Sequence, residues 1–498
     1  MFEECENIGK LIFSKFEARK IKNMARLFQN CKNLETLDIT KFKTSNVEDI
    51  SFMFRGCVKL TSLDLSNFDT SSVTTMAYTF ANCNSLTYLN VSNFKTNLVK
   101  EMTFMFASCE KLTSLDLSKF NTENVEEMYQ MFGNCKSLKS IDLSNFNTQS
   151  CTDMDGMFLG CSSLTSIDVS NFITDKVEDM CMMFSRCTNI KGLNLKQFNT
   201  ELVEDMSQMF EECNQLTSLD ITNFNTKSVI DMSSMFLGCS LIKELNLNNF
   251  VTTEVENMSK IFYNCKSLTS LQIENFDTRF VKDMSYMFYY CSSLTEIDIS
   301  SFTTGSLDTM NNMFQNCREL RHLDLSNFNT KKVKNMAELF QYCEKLESLD
   351  LSSFDTSQVT DMTNMFQYCS DLTSLNISSF DTGNVRTTRG MFSSCSSLKQ
   401  LEISNFNTKN VGDMASMFYK CSGLTSLDVS KFDTTKVKDM QYMFFSCSQI
   451  EFLDLTSFNT LQCTNFNSMF YECNILTIWV KKEYCENLIA IIPDFVDI

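Results

Sequence analysis

Twenty-three cysteines, one histidine (His322) and an excess of carboxylates are the residues of this 498-residue chain with the capacity for chemistry. Cysteine recurs at 5, 31, 57 and onward to 473 at intervals of 26, so 19 of the 23 keep one beat and only Cys151, Cys181, Cys463 and Cys485 lie off it. Thiols can act as nucleophiles, metal ligands or disulfide partners. A lone histidine removes most thiol–imidazole catalysis and most zinc sites. Parallel side chains in a line do not converge on a metal. Rungs ~4.8 Å apart would allow neighbours to pair by distance, but each thiol would have two equivalent partners, and pairing would break the stack. The beat cysteines share a stripe with Met and Phe, so they read as a ladder of buried free thiols acting as small hydrophobes. Cys151 and Cys463 stand where other units have valine and read as core too. Free thiols favour an intracellular, reducing compartment. With no nucleotide loop, serine elbow or paired metal motif in the sequence, the expectation is no catalysis, no cofactor and no metal site.

The carboxylates form a second column. The residue between the two strand leucines of each unit is Asp in 11 of 17 units and Glu in one, among them Asp116, Asp142, Asp168, Asp298, Asp324 and Asp350. Like charges ~4.8 Å apart repel by about 0.9 kcal/mol even in water. Two readings follow: a solvated ladder in which Asp and Ser hydrogen-bond each other, or a face for a basic protein partner or weakly held divalent cations. Outliers on the same face are Tyr88, Glu244, Glu296, Arg321, His322 and Phe452, and the aromatic and Arg ones are where a binding hot spot is sought; for His322 the expectation is an exposed surface residue.

These side chains need elements to position them. One unit, from Cys57, reads CVKLTSLDLSNFDTSSVTTMAYTFAN. Leu63 and Leu65 point to one face of a short strand and Asp64 to the other. In VEDMSQMFEEC, Met206, Met209, Phe210 and Cys213 fall at i, i+3, i+4 and i+7, which predicts about two turns of helix with Asp205 as N-cap. A unit this short cannot bury its apolar face alone, so copies must stack. Phe at 42 to 458 and Thr at 44 to 460 each fill seventeen units, and a second Phe column from 28 to 470 fills eighteen. The Thr column predicts hydroxyls that satisfy backbone groups in a turn.

The unit M-x-x-M-F-x-x-C-x-x-L-T-S-L-D-L-S-x-F-D-T-x-x-V, well seen in MYQMFGNCKSLKSIDLSNFNTQSCTDM at 128–154, resembles the BspA-like leucine-rich repeat of bacterial and protist surface proteins. The resemblance implies a leucine-rich-repeat solenoid of about eighteen coils, with a parallel sheet on the concave face and short helices on the convex face. It also implies a surface role, as in adhesins.

One proline and 12 glycines leave almost no linker punctuation, so one solenoid is expected rather than a string of domains. It divides into an N-terminal partial repeat and cap (1–23), seventeen repeats (24–465), and a degenerate repeat and cap (466–498). Cys5, Phe16, Ile21 and Met24 keep register in the first copy while Ala18 replaces the Thr. Leu476, Trp479 and Tyr484 keep it in the last, with Trp479 expected to plug the final coil. The tail from Leu488 reads as a cap, the alternative being a docking segment. A formal net charge of −18 argues against nucleic acid and anionic membrane as main partners. The opening MFEECENIGK has no secretory pattern, and the run at 488–492 is too short to span a bilayer. The expected function is therefore a non-catalytic, elongated scaffold, within the cell, that presents a polar, acidic face to protein partners or within a larger assembly. The alternative is a cell-surface adhesin binding host or matrix proteins.

Overall fold

Polar–Leu–polar triplets set the strands. In the first of the chain's two units, Met1–Ile242, strands β1 (Lys10–Ile12), β2 (Thr36–Asp38), β3 (Ser62–Asp64) and β4 (Tyr88–Asn90) form a parallel sheet in chain order. Partners are 26 residues apart, as in Leu11 with Leu37 and Leu63 with Leu89. In the second unit, Lys243–Ile498, β5 (Glu244–Asn246) pairs with β6 (Ser270–Gln272) and β7 (Ser348–Asp350) with β8 (Ser374–Asn376) on the same offset, while β9 (Phe452–Asp454) pairs with β10 (Thr477–Trp479). The middle leucine enters the core and its neighbours face water, the alternation a half-buried strand requires. This is a computed structural model and describes residues 2–13, 20–475, 477–490 and 492. Each unit is a parallel leucine-rich-repeat solenoid.

The second half of each coil corrects one expectation. Met206, Met209, Phe210 and Cys213 are all buried, as their spacing requires, but no helix carries them. Among the described residues the only helix is α1 (Lys482–Ile489). The segment is instead a run of overlapping turns. Met209, Glu211 and Cys213 donate N–H bonds back to Met206, Gln208 and Phe210, while Met206, Gln208, Phe210 and Glu212 donate theirs to Asp231, Ser233, Met235 and Leu237 of the next coil. Every second N–H therefore joins coil to coil. A helix would keep those donors to itself, and its diameter of ~10 Å does not fit rungs stacked at ~4.8 Å. Asp205 still caps, its Oδ1 accepting the Ser207 N–H at 2.7 Å.

The turns need left-handed backbone at their third residue, as at Gln208 (φ 57°) and Glu212 (φ 54°). The equivalents before the cysteine include Asn30, Asn82, Asn134, Gly56 and Gly160, the types that tolerate that region. A branched Cβ does not, so Gln208→Val is expected to cost ~1–2 kcal/mol in urea unfolding, with Gln208→Gly near neutral.

Three ladders fill the interior. Phe28 through Phe236 stack ring on ring with centroids 5.5–6.0 Å apart and planes within 12°, and a like column runs from Phe262 in the second unit. Threonines of the buried column do double service, as expected for a turn hydroxyl: Thr148 Oγ1 donates to the Ile173 carbonyl at 2.7 Å and accepts the Ile173 N–H at 2.8 Å. Cysteine thiols donate across coils to the phenylalanine carbonyl, Cys57 to Phe28 at 3.1 Å and Cys161 to Phe132 at 3.1 Å. No disulfide joins any of the 23 cysteines. Burial pushes the thiols of Cys83, Cys135 and Cys187 up to about 12, so they stay protonated and inert. Cys151 and Cys463 are buried as well.

The ends differ from the sequence reading in one place. Thr477 pairs with Phe452 and Ile478 with Leu453, an offset of 25 rather than 26. A slip of one residue exchanges the faces of a strand: Ile478 fills the core and Trp479, expected there, is 54% exposed. Tyr484 is exposed too, but its carbonyl accepts the Thr460 hydroxyl at 2.9 Å, ending the Thr ladder. Helix α1 buries Cys485 and Leu488 against this end, with the Cys485 thiol 3.2 Å from the Phe458 carbonyl. At the start, Phe2 stacks on Phe28 at 5.6 Å. Phe16, Ala18, Leu476 and residues 493–498, on which other expectations fell, lie outside the described residues.

Candidate functional site

The acidic column faces outward on the strand face, and each member is tied to its own turn. Asp116, Asp142 and Asp168 accept the backbone N–H of Ser118, Ser144 and Ser170, each at 3.0 Å. Asp298, Asp324 and Asp350 do the same for Ser300, Ser326 and Ser352 at 2.9–3.0 Å. Ser170 and Ser300 also donate their hydroxyls at 2.6 Å. This is the hydrogen-bonded Asp/Ser ladder among the two readings of the column. The same bonds hold these carboxyls below the usual carboxylate range, with the Ser N–H the larger cause at Asp116, Asp142, Asp324 and Asp350 and the Ser hydroxyl at Asp168 and Asp298. A carboxyl lowered on folding contributes stability that is present above its unfolded value and is lost as pH falls through the folded one. The thermal midpoint is therefore expected to hold between pH 7 and 5 and to fall progressively below pH ~4, followed by circular dichroism.

One oxygen of each aspartate is engaged by its turn, so the other is available to a partner. In the second unit this produces a site. A groove of about 900 Å³ on the strand face is lined by Glu274, Glu296, Asp298, His322, Asp324 and Asp350, with Ser, Thr and Leu side chains between them. Five carboxylates face it, and His322 is the one lining residue able to carry positive charge. Of the residues singled out in the sequence, Asp298, His322, Asp324 and Asp350 come together here.

The others are placed apart. Asp116, Asp142 and Asp168 occupy consecutive coils of the first unit, with Tyr88, 52% exposed, one coil before Asp116. Arg321 is engaged by Glu347 at 3.3 Å, one coil on. Phe452 is 43% exposed and meets Trp479 edge to face at 4.9 Å, so the slipped register of the last coil makes an exposed aromatic pair that the sequence reading divided between surface and core. Glu296, one of the outliers of the face, also lines the groove, whereas Glu274 went unnamed although it departs from its column. On the turn face of the first unit, Asp155, Asp179 and Cys181 bring donor atoms within 4.8 Å of one another. The signals for them were Cys181's place off the beat and an Asp at 155, where no other unit has a carboxylate.

With the coils and both faces described, relatives can be compared. The sequence matches the family described as "Mycoplasma protein of unknown function, DUF285" in nine overlapping stretches: 1–114, 50–166, 87–193, 132–245, 179–294, 239–347, 262–375, 316–421 and 398–488. The chain belongs to the DUF285 family. No curated protein matches this DUF285 chain. Among solved structures it is similar to a leucine-rich repeat protein from Bacteroides ovatus, with 18% identity over 95% of the DUF285 chain and 85% of the other and a TM-score of 0.29. It is similar also to a leucine rich cell surface protein from Faecalibacterium prausnitzii, with 15% identity over 72% and 82% of the two chains and a TM-score of 0.29. Among the described residues of the DUF285 chain, no helix is long and apolar enough to cross a membrane.

Proposed function

We propose that this DUF285 chain is a non-catalytic protein-interaction scaffold whose acidic strand face takes a basic protein partner. The groove of the second unit supports this most directly: five carboxylates line it and no lysine or arginine does. Such a field speeds encounter with a positively charged surface and disfavours an acidic one. The unit-one aspartates Asp116, Asp142 and Asp168 extend the same chemistry, and exposed Tyr88, Phe452 and Trp479 add apolar anchors of the kind that dominate interface energetics. On this reading residues 1–23 and 466–498 serve as caps around the repeats.

The test is capture of partners by the full chain, identified by mass spectrometry, beside a variant carrying Asp298→Asn, Asp324→Asn and Asp350→Asn. Partners held by this face are expected to be lost at least tenfold in the variant and to weaken with salt. Equal capture by both chains would overturn the reading. Burial of the beat cysteines beside Met and Phe in the core supports a reducing compartment over the surface-adhesin alternative. Thiol titration of the cell-derived chain under denaturant is expected to count all 23 as free; an oxidised set would favour export.

A further inference from the structure

The turn face of the first unit carries a cluster that the scaffold reading does not use. Asp153, Asp179, Asp205 and Asp231 stack coil on coil through parallel bridges. Two positions on, successive coils present Asp155, Cys181 and Ser207. Most of these groups have turn duties: Asp153 Oδ1 accepts the Asp155 N–H at 2.9 Å, and Asp179 Oδ1 accepts the Cys181 N–H at 2.8 Å. Asp155 does not. Its Oδ1 is fully enclosed and has no hydrogen-bond partner. Cys181, 8% exposed, holds its sulfur 3.2 Å from the Ser207 hydroxyl. An enclosed carboxylate oxygen among other carboxylates is unfavourable unless something positive meets it.

We propose that Asp155, Asp179 and Cys181 bind one divalent transition-metal ion of the zinc class. Their donor atoms already lie within 4.8 Å of one another, and bonds of ~2.0–2.3 Å to zinc require them to close by about an ångström, which side-chain rotation on two adjacent coils supplies. Calcium and magnesium are disfavoured because they take oxygen donors in larger number, and a thiolate with two carboxylates suits a borderline-soft ion. Three protein donors leave a position for water. As the metal–sulfur bond forms, the thiol proton passes to solvent. The site lies on the turn face and is independent of the partner groove.

The test uses the full chain, stripped with chelator and titrated with zinc by calorimetry and with cadmium by ultraviolet thiolate-to-metal charge-transfer absorption. One equivalent per chain is expected. Asp155→Asn keeps the side chain's shape and relieves like-charge repulsion, so it is expected to fold and yet bind at least tenfold more weakly. Cys181→Ser is expected to weaken binding similarly and to abolish the cadmium band. Glu35→Gln, exposed in the first unit and outside both sites, should bind as the parent does. Absence of saturable binding, or equal binding by all four chains, would overturn the proposal; the latter would put the ion on another thiol.

Discussion

Phe158→Ala is expected to lower the unfolding free energy by about 3–5 kcal/mol. The ring is buried between Phe132 and Phe184, each 5.7 Å away and within 10° of parallel. Truncation removes its transfer energy and opens a cavity between two rigid coils, and it deletes both ring contacts at once. Because a coil touches only its neighbours, the damage should begin locally. Hydrogen exchange is expected to lose protection first in the coils containing Cys135, Cys161 and Cys187. Urea unfolding gives the total, and a loss under about 1 kcal/mol, the scale of an ordinary surface change, would mean that the column is not the main source of cohesion.

Thr148→Val is the second large effect, about 2–4 kcal/mol. Valine matches threonine in shape, so packing is kept while the hydroxyl is lost. Both the N–H and the C=O of Ile173 then lack a partner, since one oxygen serves both. Thr148→Ser keeps the hydroxyl and gives up a methyl group, for about 1 kcal/mol. The order Val worse than Ser, read from thermal or urea midpoints, separates hydrogen bonding from packing; the reverse order would refute the two-bond role.

The period, the columns and the outward Asp/Ser ladder were legible because identical coils turn a residue type into a physical row: Phe158 and Thr148 could be assigned to core and turn with no structure. The helix was misread for a definite reason. Met206, Met209, Phe210 and Cys213 are buried in a chain of turns with the spacing a helix would use. The discriminating sign lay beside them, in Asn and Gly before so many cysteines and no branched residue there. Trp479 was misplaced because the beat was carried one coil too far; a single-residue slip is invisible to a pattern whose apolar residues have already thinned. In the groove, Asp298, Asp324 and Asp350 were named as members of a column and His322 as an outlier, but not as one site, since the sequence does not say where neighbouring coils leave a hollow. Asp155, Asp179 and Cys181 belong to two coils and two columns, and their convergence is a property of the stack.

The turn ladder has a further consequence. Since alternate amides of one coil are answered by carbonyls of the next, within each unit a coil presents to its successor the same template that it received. Excising one whole period, for example residues 135–160, should join Asn134 to Cys161 and bring together surfaces that already match, giving a shorter fibre of the same weave; removing 25 residues instead should scramble it. Length can then drift by whole modules over evolutionary time.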